Sequence, residues 1–162
     1  MGAFSPNAKS GGWGFLIRDS DGDVVLAGWG QVDHLLSAFQ AELIACLHGV
    51  QAACNLGIGN LILETDATMV KQALTTDDFA KSMSGGLIDE LKSLVSSNFI
   101  NFECVSRSRV CNSAAHGLAT FGVGSVEGEE HITCTSPNNV LVTEKVYLIP
   151  HLSYMVYFTS QL

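Results

Sequence analysis

Two carboxylates stand where a sheet-and-helix protein could put them to chemical use. Glu42 falls in the first turns of the amphipathic run "SAFQAELIACLHGVQAACNLG", beside the apolar stripe that must face the rest of the fold. Asp66 ends the short, nearly all-apolar run "NLILETD", and side chains at the carboxyl end of a central strand project into the crevice outside the sheet edge. A strand-end acid and a helix acid facing that sheet can share one site. With a third and fourth acid they are what a two-metal phosphodiesterase needs. Mg2+ takes oxygen ligands, and two ions about 4 Å apart stabilise the attacking and leaving oxygens of an in-line displacement. Each acid also has a plainer use. Asp66 precedes "ATMVKQAL" and suits the N-cap of that helix, and Glu42, near a helix N-terminus, answers the helix macrodipole.

The elements that would position these acids are legible. "WGFLIRDS" and "DVVLAGWGQV" are β-type runs joined by Asp19-Ser20-Asp21-Gly22-Asp23, and Asp-Gly tolerates the positive φ angles of a tight hairpin turn. Ser37 with Gln40 three residues on is a capping box, and Gly57 is a natural residue just past the helix end. Between them Phe39, Leu43, Cys46, Leu47, Val50 and Cys54 recur at helical spacing. "NLILETD" reads as a central strand. "ATMVKQALTT" and "GGLIDELKSLVSS" read as two short helices around a polar linker over Thr75–Ser84. "FINFECVSR" alternates as a strand with one wet face, and "NSAAHGLATFG" is a helix stopped by a glycine. An opening strand is implied but barely present.

The stretch "GGWGFLIRDSDGDVVLAGWG…FQAELIACLHGVQAACNLGIGNLILETDATMVKQAL…NSAAHGLA" closely resembles the ribonuclease H-like domain of plant retroelement-derived proteins, the "reverse transcriptase-like" group. The resemblance runs from about Gly2 to Gly124, through A-E-L-x-A, E-T-D-A and N-x-x-A-[DH]-x-L-A in that order. It implies an α/β, three-layer fold with a five-stranded mixed sheet whose first three strands are antiparallel, the first of them truncated here. It also implies Mg2+-dependent (or Mn2+-dependent) cleavage of the RNA strand of RNA–DNA hybrids. Carried over residue by residue, Glu42 in "AELIA" matches the family's helix carboxylate and Asp66 in "ETDA" its strand-end carboxylate. The family's first acid directly precedes Gly-Ala-Phe; that slot is Met1 here, and the last acid corresponds to His116 in "AHGLA". Two of four ligand positions are therefore not carboxylates. Imidazole can ligate a metal, but Mg2+ prefers oxygen, and His116 equally suits a hydrogen-bonded structural role. Arg107 and Arg109 are the one basic pair. They lie where the family contacts substrate, so phosphate contact and a solvated strand end both remain open.

Composition bounds the alternatives. The chain has 162 residues, 47% hydrophobic and 15% charged, as expected of a globular domain. Its net charge of -8 is unhelpful to a nucleic-acid binder, which usually carries a basic face. Two rivals follow: a non-catalytic module holding nucleic acid through Arg107, Arg109 and scattered lysines, and a degenerate relic or interaction protein. The five cysteines include no C-x-x-C pair and no zinc spacing, and read as buried reduced thiols. Neither a signal peptide nor a membrane-length apolar run is visible. The expectation is an intracellular protein, nuclear or cytoplasmic and not secreted, with a domain over residues 1–124. Residues 125–162 change character. A polar, glycine-containing lead-in precedes "VYLIPHLSYMVYFTSQL", which is expected to be a loosely packed tail carrying no motif residue. The alternative is that it packs onto the core as a replacement sheet edge.

Overall fold

The alternation in "GGWGFLIR" decides how helices meet the sheet. In the computed structural model, which describes residues 10–108, 113–123, 130–135, 141–142 and 154–161, this segment is strand β1 (Gly11–Arg18). It pairs antiparallel with β2 (Val24–Val32) through the expected turn. Gly22 adopts φ +89, and the Asp19 carboxylate accepts the backbone N–H groups of Asp21 and Asp23 at 3.0 and 2.9 Å.

Trp13, Phe15 and Ile17 point to one face of the sheet and join a single apolar core. Helix α1 (Ala38–Asn55) covers that face with Leu43, Cys46 and Val50. Ser37 caps its N-terminus as expected, its Oγ accepting from Gln40 N–H at 3.1 Å, while Gln40 Oε1 reaches one residue further back than in a capping box and accepts from Leu36 N–H at 2.7 Å. Its end is set by Gly57 at φ +69, a left-handed conformation that favours glycine. Strand β3 (Asn60–Thr65), helix α2 (Thr68–Thr75), helix α3 (Gly85–Asn98) and strand β4 (Asn101–Ser106) follow. Leu61 and Leu63 of β3, Val70 and Ala73 of α2, and Ile88 and Leu91 of α3 complete the core.

Gly12 and Gly14 alternate to the other face, which receives helix α4 (Ser113–Val123). A methyl at Gly14 would lie 2.6 Å from Ala119 N and 2.9 Å from the Ala115 carbonyl, and one at Gly12 would collide with the Ala119 carbonyl. Here helix backbone rests on sheet backbone. The result is the expected three-layer α/β sandwich.

The remaining strands, β5 (Glu130–Thr135), β6 (Leu141–Val142) and β7 (Tyr154–Gln161), enlarge the five-stranded arrangement to seven, in the order β4-β3-β7-β1-β2-β5-β6. β5 pairs antiparallel with β2, and β6 with β5. β7 lies between β1 and β3, antiparallel to β1 and parallel to β3. The loosely packed tail expected over 125–162 is therefore corrected for 154–161. Nor is this segment a sheet edge: it is an interior strand, between β3 and β1. The physical reason is backbone satisfaction. Without it, facing rows of N–H and C=O groups on β1 and β3 would lie unpaired between two helical layers, and buried backbone groups are nearly always paired. A run as β-prone as "YMVYFTSQ" meets that demand. β7, β1 and β2 are antiparallel neighbours; the opening strand that the resemblance implies falls outside the described residues.

Candidate active site

Asp66 stands on the bend that ends β3. The plainer reading, that it caps the following helix, does not describe the structure. The N-cap position of α2 is Ala67, whose N–H is accepted by Thr65 Oγ1 at 3.1 Å. Asp66 is half-buried, as is Glu42 in the second turn of α1.

The chain connectivity sets these two acids at one end of the sheet. α1 finishes at Asn55 and β3 starts at Asn60, so the two run in opposite directions, with α1 packed over β7 and β1 beside β3. Electrostatics report the same geometry. Burial pushes the Cys46 thiol well above its ordinary range, with further contributions from the Glu42 carboxylate and from Cys104. Cys104 lies on β4 beside Leu63 of β3. Four residues from Cys46 toward the α1 N-terminus, about 6 Å of rise, reach Glu42. Three residues from Leu63 toward the strand end reach Asp66. Both steps lead toward the same end of the sheet.

His116 lies in the turn Ala115–Ala119 of α4, which sits on Gly14. Gly14 pairs with residue 159, and Phe15 with Phe158, which in turn pairs with Thr65. His116 thus lies at about the sheet level of Asp66, two strands away and on the face opposite Glu42. It is half-buried, and its backbone carbonyl accepts from Thr120 Oγ1 at 2.9 Å. Met1 and Arg109 lie outside the described residues.

Arg107 is engaged with a residue that sequence reasoning passed over. Its Nε donates to Glu64 Oε1 at 3.0 Å, with the Arg107 side chain 53% exposed and that of Glu64 5% exposed. Its backbone N–H also donates to the Thr65 carbonyl at 2.9 Å, so the ion pair ties the end of β4 to the end of β3. The available signal was strand alternation. In "NLILET", Leu61, Leu63 and Thr65 go to the core, which leaves Ile62 and Glu64 on the other face. A buried carboxylate there requires a partner, and the strand running parallel beside it supplies Arg107.

Among the described residues no group of three or more His, Cys, Asp or Glu gathers to hold a metal ion. Glu42 and Asp66 are hard oxygen donors of the type Mg2+ uses, but two carboxylates do not make the set that a metal pair requires. The donors among the described residues do not make up a two-metal set.

The reverse transcriptase-like family profile matches residues 1–122. The chain belongs to the reverse transcriptase-like family. Its fold is ribonuclease H-like. The crystal structure of RNase H1 from the halophilic archaeon Halobacterium salinarum superposes with a TM-score of 0.63 at 23% sequence identity, covering 77% of this chain and 94% of that one. No curated protein matches the chain significantly. Among the described residues no helix is long and apolar enough to cross a membrane.

Proposed function

We propose that this protein is a ribonuclease H-type module that binds RNA–DNA hybrids and directs hydrolysis to the RNA strand. Glu42 and Asp66 are its acidic residues, and its turnover is held low by an incomplete donor set. The observation that supports this reading most directly is the meeting of a family match over residues 1–122 with two family-matching carboxylates at one end of the sheet. Arg107, just past the end of β4 and half exposed, with Arg109 two residues on, suits the hybrid's phosphates. The retroelement-derived, plant-type branch is the finer placement suggested by the motifs around Glu42, Asp66 and His116, and Mg2+ or Mn2+ is the expected cation. The test is a binding and cleavage assay on an RNA–DNA hybrid, with duplex DNA of the same sequence as control. Hybrid preference that weakens with salt, together with slow RNA-strand cleavage lost in Asp66→Asn, supports the proposal. Equal affinity for both duplexes, or cleavage that Asp66→Asn leaves unchanged, rejects it.

A further inference from the structure

Arg107 is fixed twice at the end of the β3–β4 pair. Glu64 on β3 sits opposite Val105 on β4. Two residues past Val105, the Arg107 backbone N–H donates to the Thr65 carbonyl, the peptide group that leads into Asp66. The side chain is then held through Nε, which donates to the Glu64 carboxylate at 3.0 Å. The two partners differ in environment: the carboxylate is buried and the guanidinium half exposed. Arginine carries five N–H donors in a rigid planar fork. Holding Nε restricts where the other four, on Nη1 and Nη2, can lie. A group restricted in advance loses less entropy on meeting an anion, and the fork matches a pair of phosphate oxygens.

We infer that Glu64 is a positioning residue: its buried carboxylate orients Arg107 to receive a backbone phosphate of the bound nucleic acid at the Asp66 end of the sheet. The inference rests on the hybrid-binding proposal for the source of the phosphate, and on the two hydrogen bonds of Arg107 for its geometry. Its sign is opposite to that of simple charge. Removing a carboxylate raises the positive potential around Arg107, which by itself tightens phosphate binding. Losing the orientation of the fork weakens it. Glu64 therefore helps the site to hold an anion although it is itself an anion.

The experiment has two arms, both on the full chain. The first titrates inorganic phosphate into the unmodified protein and follows arginine Nε–H signals by nuclear magnetic resonance. Arg107 is expected to shift at lower phosphate than Arg18, whose Nη1 donates to the Gly22 carbonyl in the hairpin turn. No preference for Arg107 overturns the inference without any variant. The second arm measures RNA–DNA hybrid affinity against salt for the unmodified chain, Glu64→Ala, Glu64→Gln and Arg107→Lys. Glu64→Ala is expected to bind ~5-fold more weakly, with a salt slope smaller by about 1, the signature of one lost phosphate contact. Glu64→Gln removes the same charge but keeps an oxygen for Nε, and should bind at least as tightly as the unmodified chain. Arg107→Lys lacks the fork and should resemble Glu64→Ala. The same result for Glu64→Ala and Glu64→Gln, in either direction, overturns the inference. Should Glu64→Ala not fold, Arg107→Lys decides, and undiminished affinity there overturns it. If the phosphate arm succeeds while the unmodified chain shows no hybrid binding, the functional proposal falls and the anion site stands.

Discussion

The two faces of the central sheet solve the same packing problem in opposite ways. Toward α1, β1 presents Trp13, Phe15 and Ile17, each 2% exposed or less. Glycines on β2 make room for the rings: the missing side chain of Gly28 faces Phe15, and that of Gly30 faces Trp13. Trp13 also stacks on His48 of α1, with ring centroids 3.9 Å apart. Toward α4, β1 presents bare backbone at Gly12 and Gly14. One face is held by side chains that can shift rotamer. The other is held by main chain, which cannot retreat. Tolerance to substitution should therefore divide along the sheet plane, even between adjacent residues of one strand.

The largest effect is expected at Gly14. Valine there meets Ala119 N and the Ala115 carbonyl, so α4 must lift off. The expected loss is about 4 kcal/mol or more, the exceptional range for a single substitution, measured by denaturant unfolding. Phe15→Ala, one residue along and 1% exposed, should cost about 3–4 kcal/mol through lost burial and a cavity. The two faces separate in a double-mutant cycle. A Cβ at Gly28 would approach Phe15 ring atoms at 2.5 and 2.6 Å, so Gly28→Ala should destabilise alone and be partly relieved by Phe15→Ala, with a coupling of about 1 kcal/mol. Absence of coupling would contradict the side-chain nature of that face.

How much of this was legible follows from how local each signal is. The hairpin, the Ser37–Gln40 cap, the Gly57 stop and the α1 stripe are written within a few residues of one another, and each has its expected geometry. Asp66 and Glu42 were legible as candidates because strand end and helix face are local properties. The place of β7 was not legible. Its partners lie far away in sequence, and β propensity reflects context more than intrinsic preference, so a β-prone run alone does not say which edge it will join. The Glu64–Arg107 pair escaped for the same reason, because two parallel strands with a crossover between them bring its members together.

Smaller effects test the acidic end of the sheet. Arg107→Ala should cost about 2 kcal/mol. Removing one partner of a buried pair is strongly destabilising, but Arg107 is half exposed and water recovers part of the loss. Adding Glu64→Gln to that variant should restore much of the deficit, and no restoration would mean that Glu64 is not the group left stranded.

The cysteines sharpen the α1 face by pH. Burial raises the Cys104 thiol from its ordinary 9.0 to about 11, with Lys71 opposing the shift. A folded-state value above the unfolded one contributes stability that is complete below about pH 9 and is lost as pH rises toward 11. Unfolding free energy should fall by about 1–2 kcal/mol across that window, and Cys104→Ser should flatten part of the decline. A profile that stays level from pH 9 to 11 would contradict the burial.

The most direct test of the central claim is RNA-strand cleavage in an RNA–DNA hybrid, measured with Mg2+ for the unmodified chain and for Asp66→Asn. Preferential hybrid binding with slow RNA-strand cleavage is expected. Asp66→Asn should abolish that cleavage while leaving the fold and the hybrid affinity essentially unchanged. Cleavage at the same rate in Asp66→Asn, or no preference for the hybrid over duplex DNA, would contradict it.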